Sequence, residues 1–368
     1  MASTSATQSA PQSAPTFHVL PVVDIHHDTA QSVVVTLDPG DDQRFGFVHG
    51  QHLTFRRDFD GVEVRRSYSI CAPAPGDELK VAIKLVDGGV FSTWANKELA
   101  VGDELDVMTP TGNFTSELRP DDHRSYVLVA AGSGITPILS IAATVLAAEP
   151  HASVTLLHVN QTTSSIMLLE DVEALRNRHL GRLQIWNVLT REPTAAALFS
   201  GRPDRQRFDT FLAVGVLPTD PTEVFVCGPE ELVATVRSCY AEQGVDPAHI
   251  HDELFTSSQM GRVASAGPRE VESGTPPIAT GGAVLHGRET NFAVYEGDTI
   301  LDSAQRSRPD VPFSCRAGVC STCRAFLSEG EVEMEVTHGL VPGEAEAGYV
   351  LTCQARPTTP TVRVDFDR

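Results

Sequence analysis

The stretch PFSCRAGVCSTCRAF, Pro312 to Phe326, puts Cys315, Cys320 and Cys323 into one short glycine-containing loop, and Cys353 follows thirty positions later in YVLTCQARP. Nothing else in the chain constrains folding as strongly, because a C-x4-C-x2-C loop has to wrap an object rather than build a regular element. The other three cysteines, Cys71, Cys227 and Cys239, are scattered, and a lone Cys is usually a small buried apolar residue. The first residues, MASTSATQSAPQSAPT, lack the charged head and apolar stretch of a secretion signal. Residues 1–16 are therefore expected to be a disordered tail on a cytoplasmic protein, where a disulfide framework is not expected. No run of some twenty apolar residues offers a membrane span. A net charge of −20 argues against nucleic-acid binding, which needs Lys and Arg to neutralise phosphates, but permits docking on a basic protein surface.

Three chemistries compete for the loop. Structural zinc normally takes two separated C-x2–4-C pairs or a Cys/His mixture. Disulfides conflict with the expected compartment. The spacing with a distant fourth cysteine is that of a [2Fe–2S] cluster, and this is the favoured reading. Thiolates suit iron, and the small residues Ala317, Gly318, Ser321 and Thr322 let backbone N–H groups turn toward sulfur. The expected ligands are Cys315, Cys320, Cys323 and Cys353.

The rest of the chain divides into blocks. Over residues 17–120, alternating runs such as QSVVVTL, VEVRRSYSI and LKVAIKLV are separated by turns such as DPGDD and DFDG, which predicts an antiparallel β-barrel or sandwich. Over 121–256, strands such as YVLVAAG and EVFVCG alternate with helical patterns, which predicts a doubly wound α/β parallel sheet. Residues 257–282, rich in Gly, Ser and Pro, are expected to be a linker, and 283–368 a small α+β domain.

Within the first block, Arg66-Ser67-Tyr68-Ser69 lies on a predicted strand, and Gly88 and Gly89 precede Ser92 and Thr93 at a predicted helix start. Free N–H groups at such a start form an anion site, to which Arg66 adds charge, and Tyr68 can lie along a ring system. The same R-x-Y-S also suits a plain exposed strand. In the second block, Gly132, Gly134, Thr136 and Pro137 of AAGSGITPILS follow an apolar strand directly, as dinucleotide-binding turns do, although GSGITP departs from G-x-G-x-x-G. Cys227-Gly228-Pro229 ends a later strand, where ligands of open α/β sheets collect, and core packing explains Cys227 equally well.

Taken in order, R-x-Y-S, GG-x-x-ST, GSGITP, CGP and the cysteine loop resemble the ferredoxin–NADP reductase superfamily fused to a C-terminal plant-type, β-grasp ferredoxin. Stretches such as GGVFSTWANKELAVGDELDVMTPTGNF and AGYVLTCQA are most similar to reductases of phenylacetyl-CoA epoxidases, with the reductases of steroid 9α-hydroxylases a sister group. The resemblance implies that NAD(P)H electrons pass through FAD and the cluster to the oxygenase component of a multicomponent monooxygenase. It further implies that Arg66, Ser67, Tyr68 and Ser69 hold the flavin, with Ser69 at its reactive edge. Gly88, Gly89, Ser92 and Thr93 match a second phosphate motif that favours FAD over FMN. Gly132, Gly134, Thr136, Pro137, Cys227, Gly228 and Pro229 would border the nicotinamide nucleotide, with Thr136 and Cys227 near hydride transfer, and Glu253 and Phe255 would lie near the flavin. NADPH is expected from the family. NADH is its rival, because Gln161 stands where relatives often carry arginine, leaving Ser164, Ser165 and Arg191 to compensate. Finally, Glu329, Glu331, Glu333 and Glu335 alternate as on one strand face, either a docking surface for a basic partner or a solvated edge.

Overall fold

Gly-punctuated runs of β-branched and aromatic residues form strands, and the stretch from Phe17 to Met108 does so. The computed structural model describes residues 14–76, 78–255, 271–272 and 274–368. Strands β1 (Phe17–Thr29), β2 (Ser32–Leu37), β3 (His52–Phe59), β4 (Val62–Ser69), β5 (Leu79–Lys84) and β6 (Glu104–Met108) form an antiparallel sheet in the order β4-β3-β6-β1-β2-β5. A bridge from Ile70 to Val81 joins the two ends into a barrel. The hairpin β3–β4 turns on Asp60-Gly61, both with positive φ (54° and 82°), the Asp-Gly turn whose twist matches its strands. Helix α1 (Val90–Lys97) buries Phe91 and Trp94 in the barrel core. Each such side chain contributes on the order of 2–3 kcal/mol by leaving water.

The second sheet is wholly parallel. Strands β7 (Ser125–Ala131), β8 (Ser153–Asn160), β9 (Leu183–Leu189), β10 (Glu223–Gly228) and β11 (Ile250–Leu254) lie in the order β11-β10-β7-β8-β9. Chain order thus reverses between β7 and β10. Helices α2 (Ile135–Ala148) and α3 (Leu169–Arg178) bury their apolar sides in one core with the sheet. Helices α4 (Arg205–Ala213) and α5 (Glu230–Glu242) pack on each other, α5 also on β10 and β11. Barrel and parallel sheet belong to one unit, Phe17–Ser265: Val34, Cys71 and Ala82 of the barrel join the core of α2, and Ser140 Oγ donates to the Ala72 carbonyl at 2.7 Å.

The other unit is a mixed sheet, β13-β12-β18-β14-β16, built from β12 (Ala279–Leu285), β13 (Arg288–Val294), β14 (Arg324–Glu329), β16 (Tyr349–Leu351) and β18 (Thr361–Asp365). A two-stranded ladder of β15 (Val332–Met334) and β17 (Ala355–Pro357) accompanies it. Helix α6 (Ile300–Ser307) opens with a reciprocal cap between Thr299 and Asp302 and buries Ile300, Leu301 and Ala304.

Three expectations need correction. Residues 1–13 of the expected tail lie outside the described residues, but Ala14 is buried in the core of the C-terminal unit, so the tail does not extend to 16. Residues 257–270 and 273 of the expected linker, with 256 before it, also lie outside the described residues, yet β12 already begins at Ala279 rather than 283. The four glutamates do not share one strand: Glu329 ends β14, Gly330 turns at φ +84°, and Glu331, Glu333 and Glu335 line the exposed side in and around β15.

Candidate functional sites

Strand period sorts the R-x-Y-S residues. Arg66 and Tyr68 share one face of β4, while Ser67 and Ser69 point to the other. On the first face Tyr68 lies against Phe55 and Phe91, each at 5.8 Å between ring centroids. Half-buried Arg66 donates to the Arg65 carbonyl at 2.7 Å and makes no ion pair among the described residues. Burial lowers its pKa while Tyr68 opposes the shift, and an unpaired, partly desolvated guanidinium calls for an anion. On the other face Ser69 is buried and Ser67 shares a hydrogen bond with Thr54 at 3.0 Å.

The second phosphate motif splits as well. Gly89 caps α1 without a side-chain bond, which leaves the first N–H groups of the helix available. The Ser92 hydroxyl is engaged: it accepts from the Val86 amide at 3.1 Å and donates to the Gly89 carbonyl at 3.2 Å. Ser92 thus shapes the turn, whereas Gly88, Gly89 and Thr93 line a groove of about 510 Å³ with Arg57, Phe59 and Trp94. The Arg57 guanidinium lies 3.9 Å from the Trp94 ring centroid. An exposed cation, an aromatic flank and an open helix start, with half-buried Arg66 on the adjoining strand β4, fit a flavin with a pyrophosphate.

In the parallel sheet the glycine turn and the Cys-Gly-Pro turn meet. Gly132 adopts φ +55°, and a Cβ on Gly134 would overlap the Cys227 carbonyl, so only glycine permits this approach. Gly228 is pressed likewise against Ala131. Both turns leave the carboxyl ends of β7 and β10, the strands between which chain order reverses, where such sheets bind nucleotides. Thr136, buried in the first turn of α2, donates to the Ser133 carbonyl at 3.0 Å, and Pro137 sits where a missing N–H costs nothing. Pro229 starts α5. Cys227 is fully buried and its Sγ donates to Glu253 Oε2 at 3.8 Å across the β10–β11 pair. Burial first, and then the Glu253 charge, push its pKa well up, so it is a neutral thiol and no nucleophile. Phe255 donates its amide to the Gly228 carbonyl at 3.0 Å and packs on the α2 core.

Beyond β8, Gln161 and Ser164 are exposed and Ser165 half-buried, and the Arg191 amide donates to the Gln161 carbonyl at 2.8 Å. Glu192 accepts from the Thr163 amide at 2.7 Å in the same loop. Sequence reasoning missed Lys84. Its ammonium lies 3.6 Å from the position of a Cβ on Gly132, makes no ion pair among the described residues, and has its pKa lowered by burial. LKVAIK carries lysines at both Lys80 and Lys84, so the sequence offers no signal that singles out Lys84.

The cysteine loop is held open by residues at positive φ, Arg316 (53°), Gly318 (73°) and Ser321 (57°), which turn amides inward. Arg316 Nη1 bonds Asp302 of the α6 cap at 2.7 Å and so anchors the loop to the helix. All four cysteines are buried. The four thiols are mutual neighbours: Cys315 lies against Cys320 and Cys323 against Cys353, and Cys353 also faces Cys315 and Cys320. Among the described residues no three His, Cys, Asp or Glu side chains converge on a single ion position. Four buried thiols on a loop with inward amides have the donor chemistry that suits iron and sulfide. The Ala317 amide donates to Cys315 Sγ at 3.3 Å, a contact that stabilises a thiolate.

Such a chain is a flavin- and nucleotide-dependent iron–sulfur oxidoreductase, and comparison with known proteins agrees. Family models match an oxidoreductase FAD-binding domain over residues 17–116, an oxidoreductase NAD-binding domain over 128–238 and a 2Fe-2S iron–sulfur cluster binding domain over 283–358. The chain belongs to the ferredoxin–NADP reductase superfamily, in the branch with a C-terminal [2Fe–2S] domain. Its cofactors are FAD, a [2Fe–2S] cluster and a nicotinamide nucleotide, and it is an electron-transfer reductase of the kind that serves monooxygenase systems. It is 35% identical over 355 residues to a component of the 1,2-phenylacetyl-CoA epoxidase of Escherichia coli (strain K12), covering 96% of this chain and 98% of that one. The 3-ketosteroid-9-alpha-monooxygenase ferredoxin reductase component of Rhodococcus rhodochrous is 31% identical over 353 residues, with 95% and 96% covered. Phthalate dioxygenase reductase shares the fold with a TM-score of 0.57 at 22% identity, covering 95% of this chain and 98% of that one. Among the described residues no helix is long and apolar enough to cross a membrane.

Proposed function

We propose that this protein is the cytoplasmic reductase component of a phenylacetyl-CoA epoxidase, delivering NADPH electrons to its oxygenase component. The observation that carries the reading is the 35% identity to the Escherichia coli epoxidase component along 96% of the chain. The steroid monooxygenase reductase, 31% identical over a similar span, supports the second reading, a 3-ketosteroid partner. The bound groups supply hydride acceptance and single-electron transfer, and the chain's task is to hold, orient and shield them.

In this proposal Arg66 and the open start of α1 at Gly88, Gly89 and Thr93 hold the pyrophosphate of FAD. Arg57, Phe59 and Trp94 would face the adenosine end and Tyr68 the ring system, while Ser69, buried on the opposite face of β4, would bear on it through the backbone. Ser92 supports the turn from within. Gly132 and Gly134 let the nucleotide backbone come close, with Lys84 beside them as a cation for its phosphates. Thr136 fixes the turn through Ser133. Cys227, kept neutral by burial and by Glu253, gives an apolar surface against the nicotinamide and excludes water there. Glu253, which accepts from that thiol at 3.8 Å, is assigned a positioning part rather than proton transfer. Arg191, tied by its amide to Gln161, is the cation nearest in sequence logic to a 2′-phosphate, with Ser164 and Ser165 as hydroxyl donors. Cys315, Cys320, Cys323 and Cys353 hold the cluster.

The test is reconstitution. Purified reductase, NADPH and an epoxidase oxygenase should support O₂-dependent consumption of phenylacetyl-CoA, with NADH at least tenfold less effective. Turnover only with a 3-ketosteroid oxygenase would favour the second reading, and turnover with neither would overturn both.

A further inference from the structure

The residue after the last cluster cysteine carries a donor whose partners are both in the cluster site. Gln354 Nε2 donates to Cys353 Sγ at 3.7 Å and to the Arg316 carbonyl at 3.0 Å. One amide nitrogen has two hydrogens, so both contacts can be made at once. The side chain is also confined. Its Cγ would lie 2.8 Å from a Cβ on Gly318, whose φ of +73° already favours glycine. Arg316 is itself fixed, through Asp302 at 2.7 Å and by its guanidinium 4.6 Å from the Phe313 ring centroid. The amide is thus clamped between the two arms of the site, the Cys315–Cys323 loop and the Cys353 strand end. A glutamine free to leave would cost little to lose, whereas a clamped one donates in both oxidation states.

Resting on the reading that these four thiols hold a [2Fe–2S] cluster, we propose that Gln354 is a positioning residue that sets the cluster's reduction potential through its hydrogen bond to the Cys353 sulfur. Reduction adds one electron to the cluster, and that charge spreads onto the ligand sulfurs. A donor aimed at a sulfur stabilises the reduced form more than the oxidised one, which raises the potential.

The experiment is a redox titration of the full-length holoprotein followed in the visible cluster bands and by electron paramagnetic resonance of the reduced cluster. Wild type, Q354L and Q354E are compared, with iron and sulfide counted for each. At the wild-type midpoint the reduced-to-oxidised ratio of Q354L is expected to fall about fivefold, the loss of one modest hydrogen bond. Q354E, which removes the donor and adds charge, is expected to fall further. An unchanged ratio in Q354L with normal iron and sulfide overturns the proposal. If Q354L fails to assemble its cluster, pulsed resonance on reduced wild type carrying ¹⁵N in glutamine side chains decides instead: a nitrogen coupling is expected, and its absence overturns the proposal. Absence of iron and sulfide in wild type would instead overturn the underlying cluster reading.

Discussion

The two ends of the parallel sheet obey opposite rules. At the amino end Arg124 is buried with Glu149 (3.2 Å) and Glu223, Tyr126 donates to Glu149 at 2.9 Å, and His249 and His251 meet Glu223 at 3.0 and 2.7 Å. Every one of these groups is paired. At the carboxyl end the residues are glycines packed to overlap distance, and β8 buries His158 and Asn160 with no hydrogen-bond partner on either side chain among the described residues. One end spends its polar groups on holding the strands together; the other leaves polar groups and backbone open. Unpaired buried polar atoms are tolerated where a ligand or water completes them, so the contrast locates function at the carboxyl end independently of any motif.

Removing a member of the paired end should have the largest effect. Arg124→Met takes the guanidinium from two buried carboxylates, leaving Glu149 to Tyr126 and the Arg119 amide and Glu223 to His249 and His251, and is expected to cost about 3–5 kcal/mol of stability. It should leave turnover per folded molecule unchanged, as measured by denaturant unfolding beside steady-state rates. A large loss of rate in folded protein would show that the two ends are not separable.

Acid should weaken the fold through both ends, by different groups. Burial lowers the His158 pKa from 6.5 to about 4. Between those values the unfolded chain binds more protons than the folded one, so stability is fully present above pH 6.5 and declines as pH falls toward 4. H158L should lessen the slope of that stretch, by at most about 3 kcal/mol at its acid limit, with His49 and His52, also lowered to about 4 by burial, carrying the rest. Glu223 behaves differently: burial alone would raise its pKa, but His251, His249 and Arg124 together lower it below 4.5. Its contribution is present above the unfolded value and is lost only as pH drops through the lower folded value. H158L should therefore leave the acid limb below pH 4 intact, and E223Q should shrink it, with Asp42 and Glu242, lowered by Arg44 and Arg205, keeping a part.

At the open end, Gly134→Val would drive a side chain into the Cys227 carbonyl. NAD(P)H-dependent flavin reduction is expected to fall about 100-fold, the size of a misplacement near 1 Å, while bound flavin stays constant. Lys84→Met should do least, raising the nucleotide dissociation constant about tenfold, one charge-assisted contact, with little change in rate at saturation. Loss of flavin instead of nucleotide affinity in K84M would reassign the ammonium to the flavin side.

The same contrast separates what the sequence could reveal. The cysteine loop is contiguous, so its four ligands are readable from spacing, and the glycine turns follow apolar strands directly. Lys84 and Arg57 carry no local signal, because their sites are assembled by β5 meeting the Gly132 turn and by β3 meeting α1. The same holds for Gln354, whose partner Arg316 is distant in sequence. The start of the C-terminal unit was misplaced for a reason of packing. TGGA looks like linker, yet Gly281 is a strand residue whose missing side chain makes room for the Phe292 ring. Likewise RQRFDTFLA, too short and polar to stand out, becomes α4 by burying Phe208 and Phe211.

Whether two-electron equivalents from a nicotinamide nucleotide leave this chain singly through an iron–sulfur cluster is decided by anaerobic rapid mixing of the holoprotein with NADPH and, in parallel, NADH. The flavin absorbance should bleach first and the cluster absorbance should follow at a slower, nucleotide-independent rate. A cluster that stays oxidised after the flavin is fully reduced would contradict the account.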